Sequence, residues 1–374
     1  MLRTGFRSPL HEIVMTTKTD FWSESCSAAE LRYAVEHGAT GAVGDPRAVV
    51  RVLRGERVCW GDRIGELIGA NPSWTDEDVM WKVYEEVGVR GAELLAPVFK
   101  REGGRKGRFS IQAGPGSYGS VDRMVGQAIG FSALAPNMGV ELPATSRGLA
   151  AVEEAVRRGV SVSAGACFTA AQAIAAGEAI ERGLARREAE GLGADAMSPV
   201  CVIMVGRIDD WVGAAAERDG TALDPEHLPW AGVAVFKRVY GIYRERGFRA
   251  RLAAAACRHQ LHWSEAIGAD AVLTIPAGWQ RFVNASQGEV KRRIDEPAPP
   301  DVLAALSDRV AEFRRVYEPD GLTVGEFDEH GAAVRELRGL TASYNELTRV
   351  VGEDHRLKAS AAGVDTQSEK GVRR

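Results

Sequence analysis

The chain has 374 residues, 45% of them apolar and 26% charged, with a formal net charge of −4. This is enough apolar material for a large core, and charges of both signs are interspersed, which excludes the basic stripe that nucleic-acid binding requires. Apolar runs such as Val200–Val205 fall far short of the ~20 residues of a membrane span, so a cytoplasmic location with no membrane partner is expected. Met1–Leu10 carries Arg3 and Arg7 but no apolar h-region of a signal peptide. The five cysteines are odd in number, widely spaced and without a CxxC pair, which argues against a disulfide framework or a zinc site.

In chain order, short β-like apolar segments fall at Glu12–Thr16, Gly41–Val43, Phe109–Ala113, Gly139–Leu142, Val160–Ala164, Val200–Val205, Arg251–Ala256 and Ala271–Ile275. Segments of helical period lie between them, among them Ala28–His37, Val121–Leu134, Arg147–Arg158, Ala170–Arg187 and Trp230–Arg246. Strands alternating with helices predict βα units and a parallel sheet. Eight such units predict a closed (β/α)₈ TIM barrel with extra helices. Arg251–Ala256 is the weakest strand, since its alanine run favours helix by propensity alone.

Two helical insertions interrupt the pattern, near residues 55–106 and 297–348. Residues 1–353 are therefore read as one decorated barrel domain. Residues 354–374 are polar and aperiodic, as expected of a disordered tail.

Several stretches follow one another in a recognisable order. They are Asp20-Phe21-Trp22-Ser23-Glu24-Ser25-Cys26-Ser27, Gly38–Pro46, Leu134-Ala135-Pro136-Asn137, Val140-Glu141-Leu142-Pro143-Ala144-Thr145, Val205–Trp211 and Leu261–Glu265. On these motifs the chain resembles the transaldolase family over roughly residues 19–286. The resemblance implies an aldolase-type barrel acting on ketose phosphates. In that family a fourth-strand lysine forms an iminium, carboxylates on early strands move protons, and arginines after late strands hold the phosphate.

Position by position, the resemblance implies a rebuilt reacting centre. The family's fourth-strand motif reads Val-Lys-Ile-Pro-Ala-Thr, whereas here Glu141 stands at the lysine position. A carboxylate cannot form a Schiff base. In a partly desolvated mouth its pKa would rise, suiting it to general acid/base work; the alternative is a carboxylate paired with an arginine in a dead site. The family's Thr-Asn-Pro becomes Gly44-Asp45-Pro46, exchanging an amide for an acceptor-only carboxylate. Glu24, with Asp20 as fallback, matches the first-strand acid. Gln112 is retained and could position a water or hydroxyl, while the acid two residues on has become Gly114. Ser163, Gly165 and Val202 reshape the pocket. Arg207 and Arg258 keep the family's phosphate positions, where an arginine fork suits phosphate.

Imine chemistry could be rescued only by another lysine. Of the eight, Lys18, taken as lying just past the first strand, is the one expected to reach the mouth. Three functions follow. The first is an enzyme acting on a phosphorylated sugar or ketose without an imine, with Glu141 as general acid/base assisted by Asp45, Glu24, Gln112 and Ser163. Isomerisation, epimerisation or a related proton transfer suits such a set. The second is a non-catalytic sugar-phosphate binder, and the third a transaldolase using Lys18. No cofactor is expected; Glu24, Asp45 and Glu141 are hard oxygen ligands, which keeps a divalent metal as a minor branch. A homodimer is the assembly the resemblance suggests. The alanine- and arginine-rich composition suits a specialised pathway of a high-GC bacterium.

Overall fold

A computed structural model describes residues 5–286 and 289–361, with side chains through Glu353. The elements run α1 (Pro9–Thr16), β1 (Asp20–Glu24), α2 (Ala28–Glu36), β2 (Gly41–Gly44), α3 (Pro46–Gly55), α4 (Arg57–Ala70), α5 (Asp76–Arg101), β3 (Arg108–Gln112), α6 (Val121–Ser132), β4 (Met138–Leu142), α7 (Ser146–Arg157), β5 (Val162–Cys167) and α8 (Ala170–Ala189). There follow β6 (Val200–Ile203), α9 (Val205–Arg218), α10 (Trp230–Arg246), β7 (Arg251–Ala254), α11 (Leu261–Ser264), β8 (Ala271–Ile275), α12 (Ala277–Ala285), α13 (Pro300–Arg309), α14 (Ala311–Tyr317) and α15 (Gly331–Ala361). The eight strands pair in parallel in sequence order, and β8 closes on β1. The molecule is a (β/α)₈ barrel with extra helices. Among the described residues, no helix is long and apolar enough to cross a membrane.

The first strand is not where the sequence placed it. Glu12–Thr16 belongs to α1, capped by the Ser8 side chain, which accepts from the His11 N–H, with Pro9 in the first turn. Pro at the start of a helix has no amide hydrogen to lose, and Leu10 and Ile13, three apart, bury on one face. The strand is Asp20–Glu24. In contrast, the alanine-rich segment predicted as the seventh strand is β7, held between β6 and β8. Two neighbouring ladders outweigh alanine's helix propensity there.

The predicted insertions correspond to α4 and α5 between β2 and β3, and to α13, α14 and α15 after β8. The backbone of α15 continues to Ala361, into the stretch read as a tail, and residues 362–374 lie outside the described residues.

Side chains inside the barrel form a small cluster of their own, comprising Trp22, Val200, Val202, Ala253, Ala255 and Val272. The main apolar core lies between the barrel wall and the surrounding helices, with Phe21, Ile111, Leu142 and Leu273 facing outward into it. Trp22 is large for a barrel interior, and Gly41 on the neighbouring strand makes room for it. A Cβ at Gly41 would lie 2.6 Å from the indole nitrogen. The N-terminal end of the barrel is closed by Asp20, which accepts from Lys106 Nζ at 2.9 Å and from the Arg251 guanidinium at 2.6 Å.

Gly41→Ala should therefore overpack the interior and destabilise the protein by about 1–3 kcal/mol, read from urea unfolding. Adding Trp22→Leu should recover part of that loss. An unaltered midpoint in the single variant would contradict the packing assignment.

Candidate active site

A cavity of about 380 Å³ opens at the C-terminal ends of the strands. The acids and amide that the strands contribute arrive at the last residues of a strand or just after it. Glu24 ends β1 and Gln112 ends β3. On β4, strand alternation turns Glu141 inward, in register with Gln112 and with Ser163 of β5. Asp45 follows β2 and caps α3, accepting from the Ala48 N–H at 2.8 Å and from Arg47 Nε at 2.6 Å. Arg47 also donates to Glu336 at 2.5 Å. Glu336 comes from α15, which lies over the mouth together with Leu337 and Leu340. That helix is fastened to the barrel rim by Tyr344, whose hydroxyl donates to the Gln112 carbonyl at 3.0 Å.

The site's electrostatics depend on acids crowded into a place shielded from water. Burial pushes Glu141 up to about 8; Asp45, Glu336 and Glu24 add to the rise, and Arg47 opposes it. Among the described residues no hydrogen-bond donor reaches the Glu141 carboxyl. Burial and then Asp45 push Glu24 up to about 7, against Arg47, Arg51 and Arg207. One Glu24 oxygen is buried with no hydrogen-bond partner. Space for Glu141 comes from Gly165 on β5, where an added Cβ would lie 3.3 Å from a Glu141 carboxyl oxygen and 2.8 Å from Val202. Tyr118 closes one side of the cavity, donating to the Ala113 carbonyl at 3.0 Å and accepting from Gln112 at 3.4 Å.

The cavity thus brings together Glu24, Asp45, Gln112 and Glu141 of the sequence-predicted set. Ser163 lies deeper in the barrel, buried and hydrogen-bonded to Ser110 at 2.9 Å. Asp20 is at the opposite end, so Glu24 is the first-strand acid of the site. Arg207, in the first turn of α9, stands behind Glu336 at 3.5 Å, and its Nε is buried without a partner. Arg258 is exposed, pairs with Asp210 and does not line the cavity. The neighbouring His262 accepts the Arg258 N–H through Nδ1. Its Nε2 therefore carries the proton donated to Asp209 at 2.6 Å. This buried pair braces α9 against α11.

Lys18 does not reach the mouth. It precedes β1, at the N-terminal end of the barrel, where its carbonyl accepts from Arg251 at 3.1 Å. Misplacing the first strand by one element had put it at the wrong end. Among the described residues, no lysine lines the cavity. As for the metal branch, no group of three His, Cys, Asp or Glu among the described residues is placed to hold an ion.

Sequence reasoning missed Arg47, Tyr118, Arg147, Asp328 and Glu336, all of which line the cavity. Arg47 was within reach, because Asp45-Pro46 is a helix-start signal that places the next residue at the mouth. Tyr118, an aromatic residue in the glycine-rich loop after β3, was a second such signal. Glu336 carried none, being one acid among many on a charged helix.

The family model for transaldolase and fructose-6-phosphate aldolase matches residues 63–317. The chain belongs to that family. A transaldolase of Chlamydia pneumoniae is 26% identical over 322 residues, 81% of this chain and 87% of the relative. A transaldolase of Thiobacillus denitrificans is 32% identical over 178 residues, and one of Streptomyces avermitilis 30% identical over 157. These two matches span only 50% and 41% of the relatives' lengths. In this member of the transaldolase family, α15 and Glu336 lie beyond the segment that the family model matches.

Stability should carry the signature of the raised carboxyl. Glu141 keeps its proton in the folded state up to about pH 8, whereas in the unfolded chain it ionises near 4.5. Its contribution is therefore full below pH 4.5 and is lost as pH rises towards 8. Glu141→Gln should remove that loss and raise the thermal midpoint at pH 8–9 relative to the parent, while leaving the difference near pH 4.5 small. A pH-independent difference would show that the carboxyl is not the titrating group.

Proposed function

We propose that this chain is an enzyme of the transaldolase family that moves protons at the carbonyl of a phosphorylated sugar without forming an imine. The observation that carries the reading is the Glu141 carboxyl, raised to about 8, free of hydrogen-bond donors and facing a cavity that no lysine lines among the described residues. An acid poised near neutrality is an efficient proton donor. Glu24 lies among Arg47, Arg51 and Arg207, whose charges favour its ionised form, and suits the base.

In the proposed cycle, ionised Glu24 removes a proton from the carbon next to the carbonyl. Glu141 gives its proton to the carbonyl oxygen, so that a neutral enediol forms. Glu24 then returns its proton to the former carbonyl carbon while Glu141 takes the proton of the neighbouring enediol hydroxyl, which becomes the new carbonyl, so that an isomer is released and both carboxyls regain their starting states. Asp45 has one oxygen on Arg47 and the other on the Ala48 N–H. Its part is to hold Arg47 and to raise both neighbours by its charge. Gln112 can present its amide to a substrate hydroxyl. The family description names fructose 6-phosphate, and sugar phosphates are accordingly the substrate class proposed. No step is routed through a metal ion.

Incubating the protein with fructose 6-phosphate and other ketose phosphates in deuterium oxide should incorporate deuterium next to the carbonyl, seen by NMR. Glu141→Gln should slow this about a hundredfold or more. Undiminished exchange in that variant would remove Glu141 from its role. Borohydride trapping should leave the intact mass unchanged, whereas a reduced adduct on any lysine would restore the imine mechanism.

A further inference from the structure

Two arginines near the acids do not point at Glu141. They converge on Glu336. Arg47, from the first turn of α3, approaches its carboxylate at 2.5 Å, and Arg207, from the first turn of α9, at 3.5 Å. A carboxylate held between two guanidinium groups on separate elements occupies a place built for an anion. Both arginines also sit in helix first turns, where the backbone adds positive potential. The place is not fully used by its occupant. The Arg207 Nε is buried and has no partner, and the longer of the two contacts is hers to give up. A tetrahedral oxyanion offers more acceptors than one carboxylate, and could engage both forks of Arg207 together with Arg47.

We propose that Glu336 is a tethered stand-in for the substrate's phosphate, and that a sugar phosphate binds by taking its place on Arg207. Glu336 is then a specificity-determining residue supplied by α15. Its rotation away frees Arg207, while Arg47 stays held by Asp45 through a 2.6 Å contact. The exchange of one anion for another keeps the arginine charge compensated in both states. Glu336 is also one of the charges that raise Glu141, so it helps to keep that acid protonated while no substrate is bound. The inference rests on the reading of a phosphorylated ligand but not on any turnover.

Inorganic phosphate, titrated calorimetrically at fixed ionic strength, tests it. The full chain should bind phosphate weakly. Glu336→Gln removes the competing charge with little change of shape and should tighten phosphate binding about tenfold. Adding Arg207→Ala to that variant should abolish the gain. Glu336→Ala serves as the second variant if the glutamine form does not fold, with urea midpoints confirming the fold of each protein used. Equal or undetectable phosphate affinity in the parent and the Glu336 variants would overturn the proposal, as would a gain that survives Arg207→Ala. Because the readout is binding, loss of the Glu141 mechanism would leave this result standing, and the reverse also holds.

Discussion

A carboxyl group enclosed at the mouth of a barrel must either find a cation or keep its proton, because an isolated buried charge is too costly to sustain. Glu141 is under that constraint. Arg47, the guanidinium whose charge opposes its protonation, is already committed to Asp45 and Glu336, and Arg207 to Glu336. Buried, with Arg47 engaged elsewhere and with Asp45, Glu336 and Glu24 adding negative charge, Glu141 keeps its proton to about pH 8. The proposed acid function follows from this arrangement of partners more than from the glutamate itself.

The two ends of the barrel show how the same residue types give opposite results. At the N-terminal end Asp20 is as buried as any acid among the described residues, yet Lys106 and Arg251 both bond it. That end is a structural plug. At the C-terminal end the acids outnumber the cations available to them, and one Glu24 oxygen has no partner. Unsatisfied polar atoms at the end where the βα loops gather are what a ligand can complete.

Much of this was legible from the chain. The order of the motifs gave the barrel, and seven of the eight strands lie where their apolar runs predicted. The first does not, because the apolar run Glu12–Thr16 suits either period and Ser8-Pro9 starts a helix there. That error carried Lys18 to the wrong end of the molecule. Ser163 lies on the expected strand but bonds Ser110 below the cavity instead of lining it, since alternation gives the face of a residue and not its depth. Arg258 follows its strand as expected, but its side chain finds Asp210 outside the mouth, a choice of rotamer and partner that spacing does not encode.

The sequence by itself determined the (β/α)₈ architecture, the family, and the presence of Asp45, Gln112 and Glu141 at strand ends, because strand alternation and motif order are local properties of the chain. Only the tertiary structure decided which of these acids is paired and which retains a proton. It also brought Glu336 from nearly two hundred residues beyond Glu141 to sit between Arg47 and Arg207. Burial and charge pairing are sums over neighbours distant in the chain, and only closing the barrel and laying α15 across its mouth assembles those neighbours.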